Sequence, residues 1–492
     1  MKKLFTLSMA IAAITTSASA GGILTNTNQH VSFLRNPARD ASTEIDAVYS
    51  NPAGISFMTE GWHFSFNGQS AYQNRNITST FAPFASNANG SATADGTKKY
   101  KGVASAPFIP SIYAVYKLNN KWTFSSSFAL TGGGGKATFN EGLPSFESQI
   151  AVIPALLTSY STKLNQPGLA ATQYSYNTYM QGRQYIFGLN LGAAYRFNQH
   201  LSGFAGLRVN YVSNHYFGYV KNISANLDNG TTLIPLNTYF TKMSTDMAAY
   251  ATQYQTAGDA KTAAVYTTLA QTAAAVAQNT ADKELDCDQT GWGVTPILGI
   301  DYKTGPFNFG VKYEFITKLN IQNQSQNTTG IAAYDDGVNT PSDIPALLTL
   351  GASYSILPQL HLSAGYHHYY DKSASMANDR QKYLSSGTDE YLAGVEYDLT
   401  KNTTVSAGYQ KTNYGATDKF QEDMSFYVNS YSIGFGCKFK INNHIRANVA
   451  YFQTNYGTYT KESSNYNNTG IKGKDEYTRT NKVFGIGIDY DL

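Results

Sequence analysis

Four consecutive glycines, Gly132, Gly133, Gly134 and Gly135, interrupt a strand pattern. The residues before them, Trp122, Phe124, Ser126, Phe128 and Leu130, recur at every second position. Glycines inside such a run predict a bulge, a kink or a close backbone approach. The alternative is a flexible start to the next loop. Two cations form a second candidate. Arg208 lies between Leu207 and Val209, and Lys312 between Val311 and Tyr313, so each turns away from the apolar face of its strand. A cation in a low-dielectric pocket is a good partner for a carboxylate head group. The alternative is an interior salt bridge: Lys312 to Glu314, or Arg208 to an upstream acid such as Glu44 or Asp46.

Covalent chemistry has little support. Neighbours on a strand point to opposite faces, so His367 and His368 cannot share a metal. His361 and His367 share a face but stand too far apart to chelate. His368 faces outward with no serine in a special setting, so a Ser-His hydrolase is not expected. Neither an enzyme nor a cofactor is expected. Cys287, in a long loop, and Cys437, on the apolar face of a strand, predict neither a disulfide framework nor a metal site.

The elements that must position these residues are strands. The chain has 492 residues, with 42 Gly, 38 Tyr and 26 Phe, and only 14% are charged. A typical soluble chain carries about 25%. Mean hydropathy is −0.33, and past the N-terminus no apolar run approaches the roughly 18 residues of a membrane helix. A net charge of +3 without a basic cluster gives no reason to expect nucleic acid. Period-two alternation continues to the last residue, as in Phe484, Ile486, Ile488, Tyr490 and Leu492. Six tight connections carry turn residues: Leu118-Asn119-Asn120, Asn198-Gln199, Thr304-Gly305-Pro306, Leu357-Pro358-Gln359, Thr400-Lys401-Asn402 and Ile441-Asn442-Asn443. Seven long polar ones lie near 79–98, 139–181, 221–288, 323–342, 372–385, 415–425 and 458–479. Together they join fourteen strands. The expected fold is all-β, a 14-stranded antiparallel transmembrane barrel of a bacterial outer membrane with both ends in the periplasm. Trp62, Trp122, Trp292, Tyr397 and Tyr490 fall near expected strand ends, where their rings suit the headgroup level.

Two long loops predict helices, 239–281 for its Ala, Thr and Gln content and 146–170 for the apolar stretch 150–157. That stretch either receives a greasy ligand or packs the two loops together. At the N-terminus, Lys2 and Lys3, an apolar run and Ala18-Ser19-Ala20 read as a signal peptide over 1–20. Residues 21–61 break the strand pattern. They carry Ile23, Leu24, Val31, Phe33, Leu34, Ile45, Val48 and Tyr49, enough to pack inside the barrel of 62–492 as a plug.

The plug carries a resemblance. From Ala38-Arg39-Asp40-Ala41-Ser42-Thr43 through Asp46-Ala47-Val48-Tyr49-Ser50-Asn51-Pro52-Ala53-Gly54 the chain resembles the N-terminal signature of the FadL/TodX family, outer-membrane transporters of long-chain fatty acids and other hydrocarbons. Asn51, Pro52 and Ala53 match its Asn-Pro-Ala motif. Asn36-Pro37-Ala38 reads as a fortuitous second copy. The resemblance implies a small helical hatch and an inward kink of the third strand beside the motif. It also implies passive passage of a ligand from outer loops to an interior pocket, then sideways into the bilayer. It places the glycines at that kink and makes Arg208 and Lys312 candidates for a fatty-acid head group. Expected partners are a long-chain fatty acid or other hydrophobic small molecule, with outer-membrane lipid and lipopolysaccharide around a monomer. A structural or adhesive barrel whose loops bind a partner, and a general porin, are the alternatives.

Overall fold

A computed structural model describes residues 28–164, 166–328 and 331–492. The expected signal peptide and the plug residues Ile23 and Leu24 lie outside the described residues. Fourteen long strands follow in order: β1 (Gly61–Thr80), β2 (Thr97–Lys117), β3 (Trp122–Phe139), β4 (Tyr174–Arg196), β5 (Leu201–Ala225), β6 (Lys283–Thr304), β7 (Phe307–Glu314), β8 (Leu347–Leu357), β9 (Leu360–Tyr369), β10 (Thr388–Thr400), β11 (Thr403–Asn413), β12 (Ser430–Lys440), β13 (Ile445–Tyr456) and β14 (Gly473–Asp491). Each pairs antiparallel with the next, and β14 pairs with β1 from His63 opposite Asp491 to Thr80 opposite Lys474, so the sheet closes. All six predicted tight turns are present. Three use one device: the Oδ1 of Asn119, Asn198 or Asn442 accepts the backbone N–H groups two and three residues on, at 2.8–2.9 Å.

Alternation puts one apolar row outside on every strand. Phe66, Phe128, Ile300, Phe435 and Ile486 are all about half exposed or more. Their neighbours Asn67, Ser127 and Asp301 are buried inside, as is Asn448 beside the exposed Val449. Such a belt far exceeds the few hundred Å² that a soluble surface tolerates, and it belongs in hydrocarbon. Strands β1 to β6 and β14 outrun the predicted loop boundaries. This corrects two readings. Cys287 sits in β6, buried, and not in a loop. Trp292 lies in the middle of β6, while Trp62 and Trp122 mark the rim of the tight turns.

Helix α1 (Val31–Arg35), helix α2 (Ala47–Ser50) and a 3₁₀ turn (Pro52–Phe57) fill the interior as a hatch, and nearly every residue of 28–56 is buried. Both short helices end the same way. Asn36 caps α1 and Asn51 caps α2 in extended conformation, each followed by Pro-Ala, and each Oδ1 accepts the alanine N–H, at 3.1 and 3.4 Å. The second Asn-Pro-Ala is therefore no accident of sequence. Each asparagine also donates into the wall, Asn36 to Ser363 at 3.1 Å and Asn51 to the Ile300 carbonyl at 3.0 Å. Wall glycines let the hatch backbone lie flat. A Cβ at Gly394 would stand 1.8 Å from Asn36 Oδ1, and one at Gly310 2.1 Å from the Asp40 carbonyl. Gly54 has the same need inside the hatch, 2.1 Å from the Ser42 carbonyl.

Helices α3 (Pro144–Ala151), α4 (Ile153–Leu164), α5 (Leu236–Thr256) and α6 (Ala260–Asn279) occupy the two loops predicted to hold them. Asn51→Ala removes the tie to Ile300 and a 3.3 Å bond to Asp301. A buried hydrogen-bonded group lost in this way costs about 1–3 kcal/mol. The temperature at which the purified barrel loses its compact form on gels should fall, and fall at least as far for Asn51→Asp, whose carboxylate has no N–H to donate and would face Asp301.

Candidate functional site

The ladder of the wall lapses between β2 and β3. Strand β2 pairs with β3 from Gly102 opposite Phe139 to Ala104 opposite Ala137, and again from Ile112 opposite Phe128 to the tight turn. Between these, residues 105–111 of β2 and 129–136 of β3 face no partner across the gap. The predicted glycines stand at this break. Gly133 and Gly135 have φ of +101° and +67°, and the register with β4 slips at Leu130/Gly132 and again at Gly132/Gly135. A side chain at Gly133 would meet the Gln184 carbonyl at 2.2 Å. The other edge escaped sequence reasoning. Pro107 and Pro110 interrupt β2, and proline cannot donate to a ladder. Two prolines inside an otherwise alternating strand were the available signal. Val103, Phe108, Ile112 and Phe128 around the gap are exposed outward, so the break opens within the apolar belt.

A cavity of about 580 Å³ lies behind it. Both edges of the gap line it, through Phe108 and Pro110 and through Leu130 and Gly133, and the hatch contributes Gln29, Phe33 and Leu34. The Asn51-Pro52-Ala53-Gly54 motif does not. It docks away from the gap on β5 and β6, where Ser202 donates to the Ala53 carbonyl at 2.8 Å.

Arg208 and Lys312 face the interior as their strand phase predicts, yet neither lines this cavity. Glu314 joins them, 2.6 Å from each. Lys312 also donates to the Tyr49 carbonyl at 2.9 Å, and both cations lie over the Tyr49 ring. Of the two salt bridges considered for them, the structure contains Lys312 with Glu314, and Arg208 joins that pair in place of a hatch acid. Glu44 and Asp46 are occupied by Arg39, at 2.9 and 2.7 Å. His367 points inward between Asp40 and Glu390, at 3.0 and 2.9 Å, while His368 lies on the other face.

Missed altogether were Arg75 and Arg479, which line the cavity. Residue 479 stood at the edge of an expected loop, whereas β14 starts at Gly473.

The long-loop side is roofed. Phe81, Phe84, Phe146, Ile150, Leu157 and Phe240 belong to one buried apolar cluster. The stretch 150–157 therefore packs the loops together. At its centre Glu147 is fully buried and accepts from Asn87 (2.8 Å), Lys98 (2.6 Å), Tyr100 (2.6 Å) and Tyr174 (2.8 Å). Burial raises its affinity for a proton, but the Lys98 charge and these bonds outweigh that and hold the carboxyl below its ordinary 4.5. A carboxylate with a lowered folded-state value contributes its full stability above the ordinary value and loses it as pH falls through the folded one. Breaking such a buried pair costs roughly 3 kcal/mol. Glu147→Gln should speed amide exchange over residues 144–151 at neutral pH. Its difference from wild type should shrink as pH drops below 4.5.

No family model matches the sequence, and no curated protein matches it. Solved structures do. A FadL homologue of Pseudomonas aeruginosa superposes with a TM-score of 0.58 at 12% identity, over 96% of this chain and 99% of that one. The toluene transporter TodX of P. putida superposes with a TM-score of 0.51 at 13% identity, over 91% and 94%. Over nearly its whole length the chain therefore has the fold of the FadL and TodX barrels, a plugged fourteen-stranded transmembrane barrel.

Proposed function

We propose that the protein carries hydrophobic solutes, long-chain fatty acids or similar molecules, across a bacterial outer membrane without energy coupling. The solute enters from the long-loop side, rests in the cavity and leaves sideways between β2 and β3. The observation that carries this reading is the unpaired stretch of wall, bordered by apolar side chains and backed by a cavity. The named activity of TodX, toluene transport, agrees with a hydrophobic solute. A lateral exit also suits the energetics, since each methylene kept out of water is worth about 0.8 kcal/mol. A narrow apolar crevice beside Phe146, Leu285 and Tyr334 shares Met180 and Met424 with the cavity and supports entry there. Methionine adapts to varied apolar shapes.

In this reading the hatch stays in place. Its charges are tied to the wall through Arg35 with Glu396 and Lys438 with Glu44, and Arg208 and Lys312 serve it through Glu314 and Tyr49. A filled interior argues against a general porin. With the tight turns on the periplasmic side, both chain ends lie there, and the domains run as signal 1–20, hatch 21–61 and barrel 62–492.

Restoring the wall tests the exit. Pro107→Thr and Pro110→Thr give back two donors, and Gly133→Val with Gly135→Val disfavours the bend. Uptake of a labelled long-chain fatty acid, and separately of toluene, should fall about tenfold or more, equivalent to 1.4 kcal/mol in the barrier, with binding retained. Unchanged uptake in a correctly folded variant would remove the gap from the route.

A further inference from the structure

The charges inside this barrel fall into two groups. Around the hatch every interior cation named above has an acid beside it: Arg35 and Arg39 with Glu396, Lys438 with Glu44, Arg208 and Lys312 with Glu314. The cavity differs. Arg75, Lys136 and Arg479 line it, and among the described residues its lining contains no Asp or Glu. Arg75 of β1 and Arg479 of β14 are register partners. Directly opposite residues have Cβ atoms about 5 Å apart, and like charges there repel.

Neutral groups hold the two guanidiniums. Arg75 Nε donates to Gln73 Oε1 at 2.8 Å, and Arg479 Nη2 donates to the same oxygen at 3.0 Å. Arg479 Nη1 reaches the Phe426 carbonyl at 3.3 Å, a long bond, and its Nε is buried with no acceptor. Its planar head lies 5.1 Å from the Tyr456 ring and 6.0 Å from the Phe426 ring. Phe426 belongs to the connection 414–429, whose residues Met424, Ser425, Phe426 and Tyr427 form part of the cavity wall. The loop is thus tied to Arg479 by an interaction that a better acceptor would displace.

We infer that Arg75 and Arg479 form an anion site that reads the head group of an amphiphile, and that filling it releases the connection 414–429 from Arg479. This rests on the transport reading above and refines its ligand: one anionic group, carboxylate or sulfonate, on an apolar body, in preference to a neutral hydrocarbon. A guanidinium fork binds such a group in two parallel bonds, stronger than a bond to a backbone carbonyl. The repulsion between the two arginines falls when an anion sits between them, so the ligand gains what the empty cavity lacks. Arg479 then withdraws from the Phe426 carbonyl, and the loop loses one of its anchors while Phe426 keeps its contact with Tyr477.

The test uses the full chain in nanodiscs with two probes, hexadecanoate and hexadecanol. Wild type should prefer the carboxylate by about tenfold or more, as a charge-assisted pair predicts. Arg75→Gln and Arg479→Gln should each reduce the preference. The double variant should abolish it while hexadecanol affinity stays unchanged. Arg479→Lys keeps the charge and should keep part of the preference, which guards against a variant that fails to fold. Amide exchange over 419–428 should rise with hexadecanoate and not with hexadecanol, and should rise without ligand in Arg479→Gln. Equal binding of the two probes would overturn the anion site and leave the transport reading intact. Binding of neither would overturn the transport reading itself. A carboxylate preference with unchanged exchange would overturn the coupling to the loop.

Discussion

A wall in hydrocarbon has no water to satisfy its backbone, so every N–H and C=O of a lipid-facing strand must find a partner in the next strand. Closure of β14 on β1 meets that demand at what would otherwise be two free edges. Between β2 and β3 the ladder lapses, and the residues there reduce what is left unpaired. Pro107 and Pro110 bring no N–H to the edge. The positive φ angles of Gly133 and Gly135 bend β3, a path that side chains would resist. The opening is thus written into backbone chemistry on both edges.

The same economy governs the interior. A barrel of fourteen strands is too wide for its own side chains to fill, and the hatch takes up the space. It lies against the wall because glycines such as Gly310 and Gly394 leave room for its backbone. It stays there because Asn36 and Asn51 donate into the wall and Arg39 gathers Glu44, Asp46 and Glu396. Buried charges are tolerable when they are paired. Against that background the unpaired Arg75 and Arg479 mark the cavity as built for something that the chain itself does not supply.

The roof follows the opposite logic. Long connections over a polar rim would be loose, yet here apolar residues from six of them share one core, with Glu147 as its polar centre. Four donors from three segments converge on that carboxylate, so the loops hold one another in place. A crevice beside Met180 and Met424, two adaptable side chains, adjoins the cavity.

By itself the sequence determined the barrel, its strand number, its turns, the inward phase of Arg208 and Lys312, and the glycine break in β3. These are local properties: period-two alternation, turn residues and missing side chains act on near neighbours. The tertiary structure decided what those residues meet. The ends of β4, β5, β6 and β14 run past the predicted loops because pairing with a neighbour extends a strand that its own residues do not specify. That extension moved Cys287 into the wall and brought Arg479 opposite Arg75. Arg208 and Lys312 were legible as interior cations, but their commitment to Glu314 and the hatch depends on contacts between strands and a segment over 150 residues upstream. Which cations are paired and which remain for a ligand is a property of the closed barrel, because only closure sets the distances between charges.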